Sequence, residues 1–326
     1  MEAVKPPAVT VAIPTHNRAD LLREAIDSVL QQTFQDFELL VLDDASTDDT
    51  PMVVDSYTDP RIRRIRHSVN VGMKANWNRG VELADGEFIA LLHDDDRWDP
   101  RFLERAMVMM KQNPELGFVY SAPAGMSGLS KRDRIYSPLD ALDRLRKRNE
   151  VAEEAVLVRR AALTAVGRFR DRWPFSMDWD AWLRIAARHP IGFLAESLGY
   201  KGAGAEGQFT SRIEETPLAI ARDRYGMLRT TIPELPLPDE SRQRLLKGAM
   251  RSLAQAQLVA AWDWAARGHR KRARQEAKFA FEIDRRVALR APLLVAATYL
   301  GLLLPPRLMR RLDRFRAAAR RLLRPD

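Results

Sequence analysis

The sequence predicts an α/β fold with a mostly parallel central sheet flanked by helices, followed by an α-helical C-terminal region. Short apolar runs alternate with amphipathic segments of helical period through the first two thirds of the chain, which is typical of parallel strands joined by crossover helices. Acidic or polar residues directly follow several of these runs. From Thr216 onward the pattern is helical. We therefore expect an α/β domain over residues 1–215 and a helical region over residues 216–326.

The predicted elements alternate in order along the first domain. The expected strands are Ala8–Ile13, Phe37–Leu42, Ile62–Arg66, Glu87–Leu92, Gly117–Ser121, Ala155–Val158 and Ile191–Leu194. The expected helices are Leu21–Gln32, a short helix at Pro51, Met73–Ala84, Phe102–Gln112, Arg160–Val166 and Ala181–Arg188. Asp20 is expected to cap the first helix.

The less regular stretches are assigned from their composition. Residues 123–149 are polar and contain two glycines, so we expect a mobile region there. The proline-rich stretch Ile232–Pro238 predicts a linker. Two helices, Ser241–Arg267 and His269–Arg285, are expected to follow it.

Composition excludes some classes of site. The chain has 326 residues and 46% apolar content, which is enough for a large core, and it has no cysteine. Disulfides and thiolate zinc sites are therefore excluded, and a reducing cytosol is compatible with the sequence. The N-terminal residues show no signal-peptide pattern.

The positive charge is concentrated at the C-terminal end. The net charge is +9, but the residues from Ser241 onward carry 21 Lys and Arg against 6 Asp and Glu, a local charge of +15. The preceding residues therefore carry −6. A basic tail on an acidic body indicates contact with an anionic surface.

The tail combines an apolar segment with a basic amphipathic one. Residues 291–304 contain no charge, and residues 307–324 place apolar side chains near one helical face among many arginines. This pattern favours docking on a membrane surface. The alternatives are packing on the catalytic domain or an oligomer contact. Nucleic acid is not expected as a partner, because no reading motif accompanies the charge.

The most informative stretch is Ile89–Pro100. Four apolar residues run directly into His93, Asp94, Asp95 and Asp96. Adjacent carboxylates at the end of a buried strand require a positive partner, and a divalent cation with hard oxygen ligands, Mg2+ or Mn2+, is the simplest one. The alternative is an acidic loop that precedes a helix beginning at Asp99.

Several motifs, taken in order, resemble the inverting family 2 glycosyltransferases, which have the GT-A fold. The matching stretches are Val11–Arg18 (VAIPTHNR), Asp43–Thr50 (DDASTDDT), Asn70-x-Gly72 with Asn78-x-Gly80, Gly86–Asp96 (GEFIALLHDDD), Val166–Phe169 and Met177–Asp180. The resemblance covers roughly residues 8–210. Each stretch is weak alone, and their order and spacing make the set specific.

The resemblance implies a nucleoside-diphosphate sugar donor and assigns residues to its binding. The implied donor-binding residues are Pro14, Thr15, His16, Asn17, Arg18, Asp43, Asp44, Asn70, Lys74, Asn78, Asp94 and Asp95. Simple helix capping is the alternative for Asp43, and a solvated helix face is the alternative for Lys74. Trp77 stands where many relatives carry Arg, so no phosphate contact is expected there.

His93-Asp94-Asp95 resembles the family's DXD metal motif, with His in the first position. The resemblance implies that Asp95 is a direct ligand of Mn2+ or Mg2+, and we expect Asp96 to be a second metal ligand. A neutral imidazole also binds Mn2+, so His93 remains a candidate donor. The cation would stabilise charge on the leaving diphosphate.

The resemblance also implies the base. Inversion needs a base on the opposite face of the sugar from the leaving group, and the family uses the Asp of a Glu-Asp pair. Here the pair is Met177-Asp178, so Asp178 is the implied base. Asp180 is the alternative, unless it only caps the helix. Trp173 is a candidate acceptor contact, whereas Trp179 and Trp182 are expected in the core.

The implied function is an inverting, single-addition glycosyltransferase that acts in bacterial cell-surface glycan or lipid-linked saccharide assembly. Its acceptor would be a glycan or a lipid-linked intermediate. We expect a cytoplasmic protein held peripherally on the inner face of the cell membrane. The alternatives are a nucleotidyltransferase or a catalytically silent glycan-binding relative. A loop at residues 208–212 is expected to close over the donor.

Overall fold

The computed structural model describes residues 5–123, 125–126, 129–151, 153–202 and 217–303. The chain divides into two compact units. The first comprises Met1–Leu145 and Asn149–Ser211, and the second comprises Arg146–Arg148 and Arg212–Asp326. The expected loop at residues 208–212 and the basic segment at 307–324 lie outside the described residues.

A sheet of eight strands forms the centre of the first unit. Its strands are β1 (Val9–Thr15), β2 (Phe37–Asp43), β3 (Ile62–Arg66), β4 (Phe88–Leu91), β6 (Phe118–Ser121), β7 (Arg134–Tyr136), β8 (Val156–Arg159) and β9 (Ile191–Leu194). Their spatial order is β3-β2-β1-β4-β8-β6-β9-β7. A smaller antiparallel pair joins β5 (Arg97–Trp98) to β10 (Gly199–Tyr200).

Most of the large sheet is parallel, as predicted. The pairs β1–β2, β2–β3, β1–β4 and β6–β9 are parallel, whereas β8 runs antiparallel to both β4 and β6, and β7 antiparallel to β9. All seven residues of β1 and of β2 are buried. Burial on both faces explains why these strands have long apolar runs rather than an alternating pattern.

Seven α-helices lie in the described part of this unit. They are α1 (Ala19–Leu30), α2 (Thr50–Asp55), α3 (Met73–Leu83), α4 (Phe102–Gln112), α5 (Pro138–Leu145), α6 (Arg160–Ala165) and α7 (Met177–Ala186). Helices α1 and α4 bury their apolar faces in one continuous core with β1, β2 and β4. Asp20 lies inside the first turn of α1 and not at its cap, because the helix begins two residues earlier than predicted.

Two expectations about the first unit were wrong. The polar stretch 123–149 was expected to be mobile, but it contains β7 and α5. Helix α5 packs through Ala141, Leu142 and Leu145, which are buried, while Leu139 is exposed. Helix α7 begins at Met177 and not at Ala181, because the Ser176 carbonyl accepts the Asp180 N–H at 2.9 Å.

The second unit is helical, as predicted. It contains α8 (Pro217–Glu234), α9 (Asp239–Ala266), α10 (Arg270–Ile283), α11 (Val287–Arg290) and α12 (Pro292–Leu303). The linker was expected to begin at Ile232, but it begins after Glu234, because α8 continues through Pro233 and ends at Glu234. Pro233 has no N–H, so the last turn of α8 lacks one backbone hydrogen bond, and the helix ends one residue later.

Helices α11 and α12 pack on α9. Val287 and Ala291 belong to a core cluster with Ala254 and Leu258. The buried Thr298 hydroxyl donates to the Leu258 carbonyl at 3.2 Å. In the described part of the chain, no helix has both the length and the apolar character needed to cross a bilayer.

Candidate active site

The parallel register brings three loops to one edge of the sheet. Thr15 at the end of β1 lies opposite Asp43 at the end of β2, and β4 pairs with β1 on the other side. The Asp44 N–H donates to the Thr15 carbonyl at 2.9 Å, and the Leu92 N–H donates to the Ala12 carbonyl at 3.1 Å. The carboxyl edge of the sheet, where ligands bind in open α/β folds, therefore presents all three loops.

Residues of the first loop are tied to the second. His16 Nδ1 donates to the Asp44 carbonyl at 2.7 Å, which fixes the tautomer of this ring. Asn17 adopts a left-handed conformation with φ 54°, and its side-chain oxygen accepts the Thr47 N–H at 2.7 Å. Asparagine tolerates this backbone region better than most residues. The loop that contains His16 and Asn17 is therefore fixed to the loop after β2 by hydrogen bonds.

The acidic pair after β2 organises the neighbouring backbone. Asp44 accepts two backbone N–H groups with its two oxygens, from Val71 at 2.7 Å and from Gly72 at 2.8 Å. Asp43 accepts the Ser46 N–H at 2.9 Å, and its other oxygen lies 3.3 Å from Arg66 Nε. Both carboxylates are buried, so the pair holds the loop at Asn70 close to the sheet edge.

Asp95 and Asp96, predicted from the sequence, form a potential metal site with His93. One ligand atom from each of the three lies within 4.8 Å of the others. Arg18 Nη1 lies 3.2 Å from Asp95 Oδ2, and the Gly202 N–H donates to Asp96 Oδ1 at 3.1 Å. Two carboxylates and an imidazole fit Mn2+ well and Mg2+ acceptably, so the residues suit a divalent cation.

Burial makes these carboxylates costly to ionise. Desolvation raises the pKa of Asp96 to about 6, and the negative charges of Asp95 and Glu154 add to the effect. Burial also raises the pKa of Asp94, against the opposing charge of Arg18. A bound cation would relieve this cost by stabilising the ionised carboxylates.

A close backbone contact covers the cluster. A Cβ atom at Gly202 would lie 1.9 Å from the Asp95 carbonyl oxygen. Only glycine permits this approach, which brings the Gly202 N–H to Asp96. The chain after β10 therefore closes one side of the metal cluster.

A series of aromatic contacts connects the cluster to α7. Trp77 on α3 packs edge-on against His93, with ring centroids 5.1 Å apart, and against Phe169 at 5.2 Å. Phe169 in turn packs edge-on against the buried Trp182 of α7 at 6.1 Å. The metal cluster and the helix that carries Asp178 are thus positioned by one packed layer.

Two predicted donor residues on α3 hold the segment before α7. Asn78 exchanges two hydrogen bonds with the Phe169 backbone, donating at 2.8 Å and accepting at 3.1 Å. Lys74 Nζ donates to the Asp171 carbonyl at 2.6 Å. These contacts give both side chains a structural role in fixing the segment, and their expected contact with the donor stays a prediction.

Asp178 lies in the first turn of α7 and is 6% exposed. Its Oδ2 accepts a hydrogen bond from Asn149 Nδ2 at 2.6 Å. A helix N-terminus favours the ionised form of a carboxylate. The hydrogen bond therefore fixes the orientation of the Asp178 carboxylate.

Asp180, the alternative base, is committed to a buried ion pair. Its side chain is fully buried, and Oδ2 accepts from Arg184 Nη2 at 2.6 Å and from Nε at 2.9 Å. The same guanidinium donates to the Arg168 carbonyl at 2.7 Å and to the Val166 carbonyl. Removing either partner would leave a buried charge, so this pair is structural.

Two residues of this region were missed from the sequence. Asn149 lies at the end of a stretch that was expected to be mobile, and no motif distinguishes it. Gly202 lies in a glycine-rich stretch. Its composition predicts a loop but does not indicate which residues the loop contacts. Trp179 and Trp182 are buried in the core, as expected, and Trp173 is half-buried.

The family comparison agrees with this geometry. Residues 10–167 match the family described as "Glycosyl transferase family 2". The chain is similar to an Escherichia coli UDP-Glc:alpha-D-GlcNAc-diphosphoundecaprenol beta-1,3-glucosyltransferase, with 36% identity over 112 residues. That alignment covers 34% of this chain and 44% of the relative.

Two solved structures share the fold. Staphylococcus aureus TarS 1–349, in complex with UDP-GlcNAc, aligns with TM-score 0.62 and 17% identity over 85% of this chain and 90% of that chain. The mannosyltransferase PcManGT from Pyrobaculum calidifontis, in complex with GDP-Man and Mn2+, aligns with TM-score 0.58 and 21% identity over 92% of this chain and 88% of that chain. Residues 10–167 therefore belong to glycosyl transferase family 2, and the two solved structures support the GT-A fold of the chain.

Proposed function

We propose that the chain transfers one sugar, with inversion, from a nucleoside-diphosphate sugar to a hydroxyl of a lipid-linked saccharide during cell-surface glycan assembly. The observation that carries the proposal is the layered arrangement of the first unit. It joins a cluster of potential metal ligands at the carboxyl edge of the sheet to a buried carboxylate at the start of α7.

The donor is proposed to bind at the three loops of the sheet edge. Asp95 and Asp96, with His93, would hold Mn2+ or Mg2+. When bound, the cation would neutralise charge on the leaving diphosphate. Arg18, which pairs with Asp95, would contact a negatively charged phosphate of the donor. The nucleotide base and ribose are assigned to Thr15–Arg18 and to the acidic pair after β2.

Asp178 is proposed to be the base. The acceptor oxygen forms a bond to the anomeric carbon while the bond from that carbon to the diphosphate oxygen breaks, and the hydroxyl proton moves to the Asp178 carboxylate. Since the attacking group approaches opposite to the leaving group, the product has inverted configuration. Asp180 is not chosen, because its carboxylate is fully buried against Arg184.

A lipid-linked acceptor fits the second unit. The E. coli relative is named for a diphosphoundecaprenol-linked substrate. On α12 and just before it, Leu289, Tyr299, Leu300 and Leu303 are exposed large apolar residues. The sequence that follows supplies eight arginines from Arg307 to Arg324. Apolar side chains next to a basic segment support peripheral docking on the inner, anionic face of a cell membrane. Trp173 remains the proposed acceptor contact.

A donor panel tests this function. The purified full chain would be incubated with UDP-GlcNAc, UDP-Glc or GDP-Man and Mn2+, and nucleoside diphosphate release would be measured. We expect release from one donor, abolished in Asp178→Asn and retained in Asp171→Asn, an exposed Asp in the preceding segment. Equal activity of Asp178→Asn and the unchanged protein would overturn the assignment of the base. NMR of the product should show inversion, and retention would contradict the mechanism.

A further inference from the structure

The segment after α5 places an amide on the candidate base. Asn149 Nδ2 lies 2.6 Å from Asp178 Oδ2. We propose that Asn149 is the positioning residue of the base, which fixes the carboxylate plane and favours its ionised form. The inference rests on the proposed function, because it assigns Asn149 a role through Asp178.

The orientation of the Asn149 amide is set by a second contact. The Val151 backbone N–H donates to Asn149 Oδ1 at 3.3 Å. Since a backbone N–H can only donate, the oxygen end of the amide must face Val151. The NH2 end therefore faces Asp178, and the contact to the base is a true donor–acceptor pair.

The neighbouring residue anchors this segment in the core. Glu150 is 3% exposed, and Arg144 contacts both its oxygens, with Nε at 2.5 Å and Nη2 at 3.0 Å. The hydroxyl of the fully buried Tyr120 donates to Glu150 Oε1 at 3.0 Å. A charged side chain held by three hydrogen bonds fixes the backbone next to Asn149.

The helix that carries the base is fastened from the same side. Trp179 Nε1, one residue after Asp178, donates to the Leu145 carbonyl at the end of α5 with a distance of 2.9 Å. The backbone next to Asn149 and the helical turn that carries Asp178 are therefore each anchored by buried contacts within the first unit. Anchored backbones leave less conformational entropy to be lost when the hydrogen bond between Asn149 and Asp178 forms.

The hydrogen bond has a consequence for the pH range of the enzyme. A donor to a carboxylate stabilises its charged form, and a base must be ionised before it can accept the acceptor proton. Without Asn149, Asp178 should hold its proton to higher pH. The acid limb of the pH–rate profile should then move upward, which a loss of packing alone would not cause.

Two substitutions and a matched control test the inference. Asn149→Ala removes the donor, and Asn149→Asp keeps the size of the side chain while placing a like charge beside Asp178. The control is Asn113→Ala, because Asn113 is also half-buried and also donates through Nδ2, to the Met109 carbonyl at 2.9 Å at the end of α4. In the full chain labelled with 13Cγ-Asp, NMR would follow the titration of Asp178, identified by its absence in Asp178→Asn.

We expect the Asp178 titration and the acid limb of kcat to rise together, by about 1 pH unit in Asn149→Ala and by more in Asn149→Asp. Asn113→Ala should change neither. An unchanged titration in both Asn149 variants would refute the contact. A shifted titration with an unchanged acid limb would refute the positioning role, since Asn149 would then act on a carboxylate that is not the base. Failure of the proposed function itself is distinguished by activity that survives Asp178→Asn.

Discussion

Trp77 packs edge-on against the imidazole of His93, with ring centroids 5.1 Å apart. At both of these positions the sequence departs from the family pattern that it otherwise resembles, and the two residues contact each other. His93 is also one of three residues whose ligand atoms converge within 4.8 Å. The indole therefore limits the orientations of a ring that can donate a nitrogen to a metal.

This contact leads to a prediction about metal preference. An imidazole ligand suits Mn2+ better than Mg2+, so calorimetry should find tighter Mn2+ binding to the full chain. His93→Ala should weaken Mn2+ binding by roughly 10-fold or more and affect Mg2+ less. His189→Ala, which removes a half-buried imidazole at the end of α7, serves as the control. Unchanged Mn2+ affinity in His93→Ala would show that the imidazole is not a ligand.

Asp95 should couple the metal to the donor. Asp95→Ala removes a carboxylate from the cluster and the partner of Arg18, so Mn2+ should no longer strengthen binding of the donor. Asp85→Ala, an exposed Asp paired with Arg63, should retain the effect. The comparison is the affinity for UDP-GlcNAc, UDP-Glc or GDP-Man, measured with and without Mn2+. Identical metal stimulation in both variants would remove Asp95 from the site.

Gly202→Ala should disturb the metal cluster, although Gly202 is not one of its potential ligands. The added methyl group would lie 1.9 Å from the Asp95 carbonyl oxygen, so the segment must move and withdraw its N–H from Asp96. We expect a loss of about 1–3 kcal/mol in unfolding free energy together with weaker Mn2+ binding. Gly125→Ala, strained by φ 74° but with nothing within 4 Å, should lose stability and keep its Mn2+ affinity. Unchanged Mn2+ affinity in Gly202→Ala would mean that this segment does not shape the cluster.

Glu276 makes the stability of the second unit depend on pH. It is 2% exposed on α10, and burial raises its pKa to about 7, from an ordinary value of 4.5. The folded chain therefore retains a proton that the unfolded chain releases between these values. Unfolding free energy should fall as pH rises through this window, by about 3 kcal/mol in total. Denaturant titrations at pH 5 and pH 8 measure it.

The control for this prediction lies on the same helix. In Glu276→Gln, the free energy of unfolding should no longer show this loss of about 3 kcal/mol between low and high pH. Glu282→Gln changes an exposed residue and should behave like the unchanged chain. If Glu276→Gln keeps the full pH dependence, another group is responsible for it.

Membrane association should depend on the end of the chain. Removal of residues 286–326 would not test the tail alone, because it would also delete buried residues that pack on α9. These residues are Val287, Ala291 and Thr298. Removal of residues 304–326 keeps every described helix. This truncated chain should no longer sediment with vesicles of phosphatidylglycerol and phosphatidylcholine, and the full chain should be released as salt rises. Undiminished sedimentation of the truncated chain would place the membrane contact elsewhere.

Most of the sheet could be predicted because its strands are buried on both faces. Such strands require uninterrupted apolar runs, and the polar residues that end them mark the ligand-binding edge. The errors fell where tertiary contact overrides local pattern. Helix α5 forms in a polar stretch, and α7 buries Asp180 and Arg184, which a helical period alone would place in solvent.

The sequence by itself determined the order of the elements, the edge of the sheet where the acidic residues collect, and the concentration of positive charge at the C-terminal end. These follow from local pattern and composition. Only the tertiary structure decided that Trp77 meets His93, that Gly202 approaches Asp95, and that Asn149 donates to Asp178. The physical reason is that each contact joins residues from separate elements, whose distance is set by packing and not by any pattern along the chain.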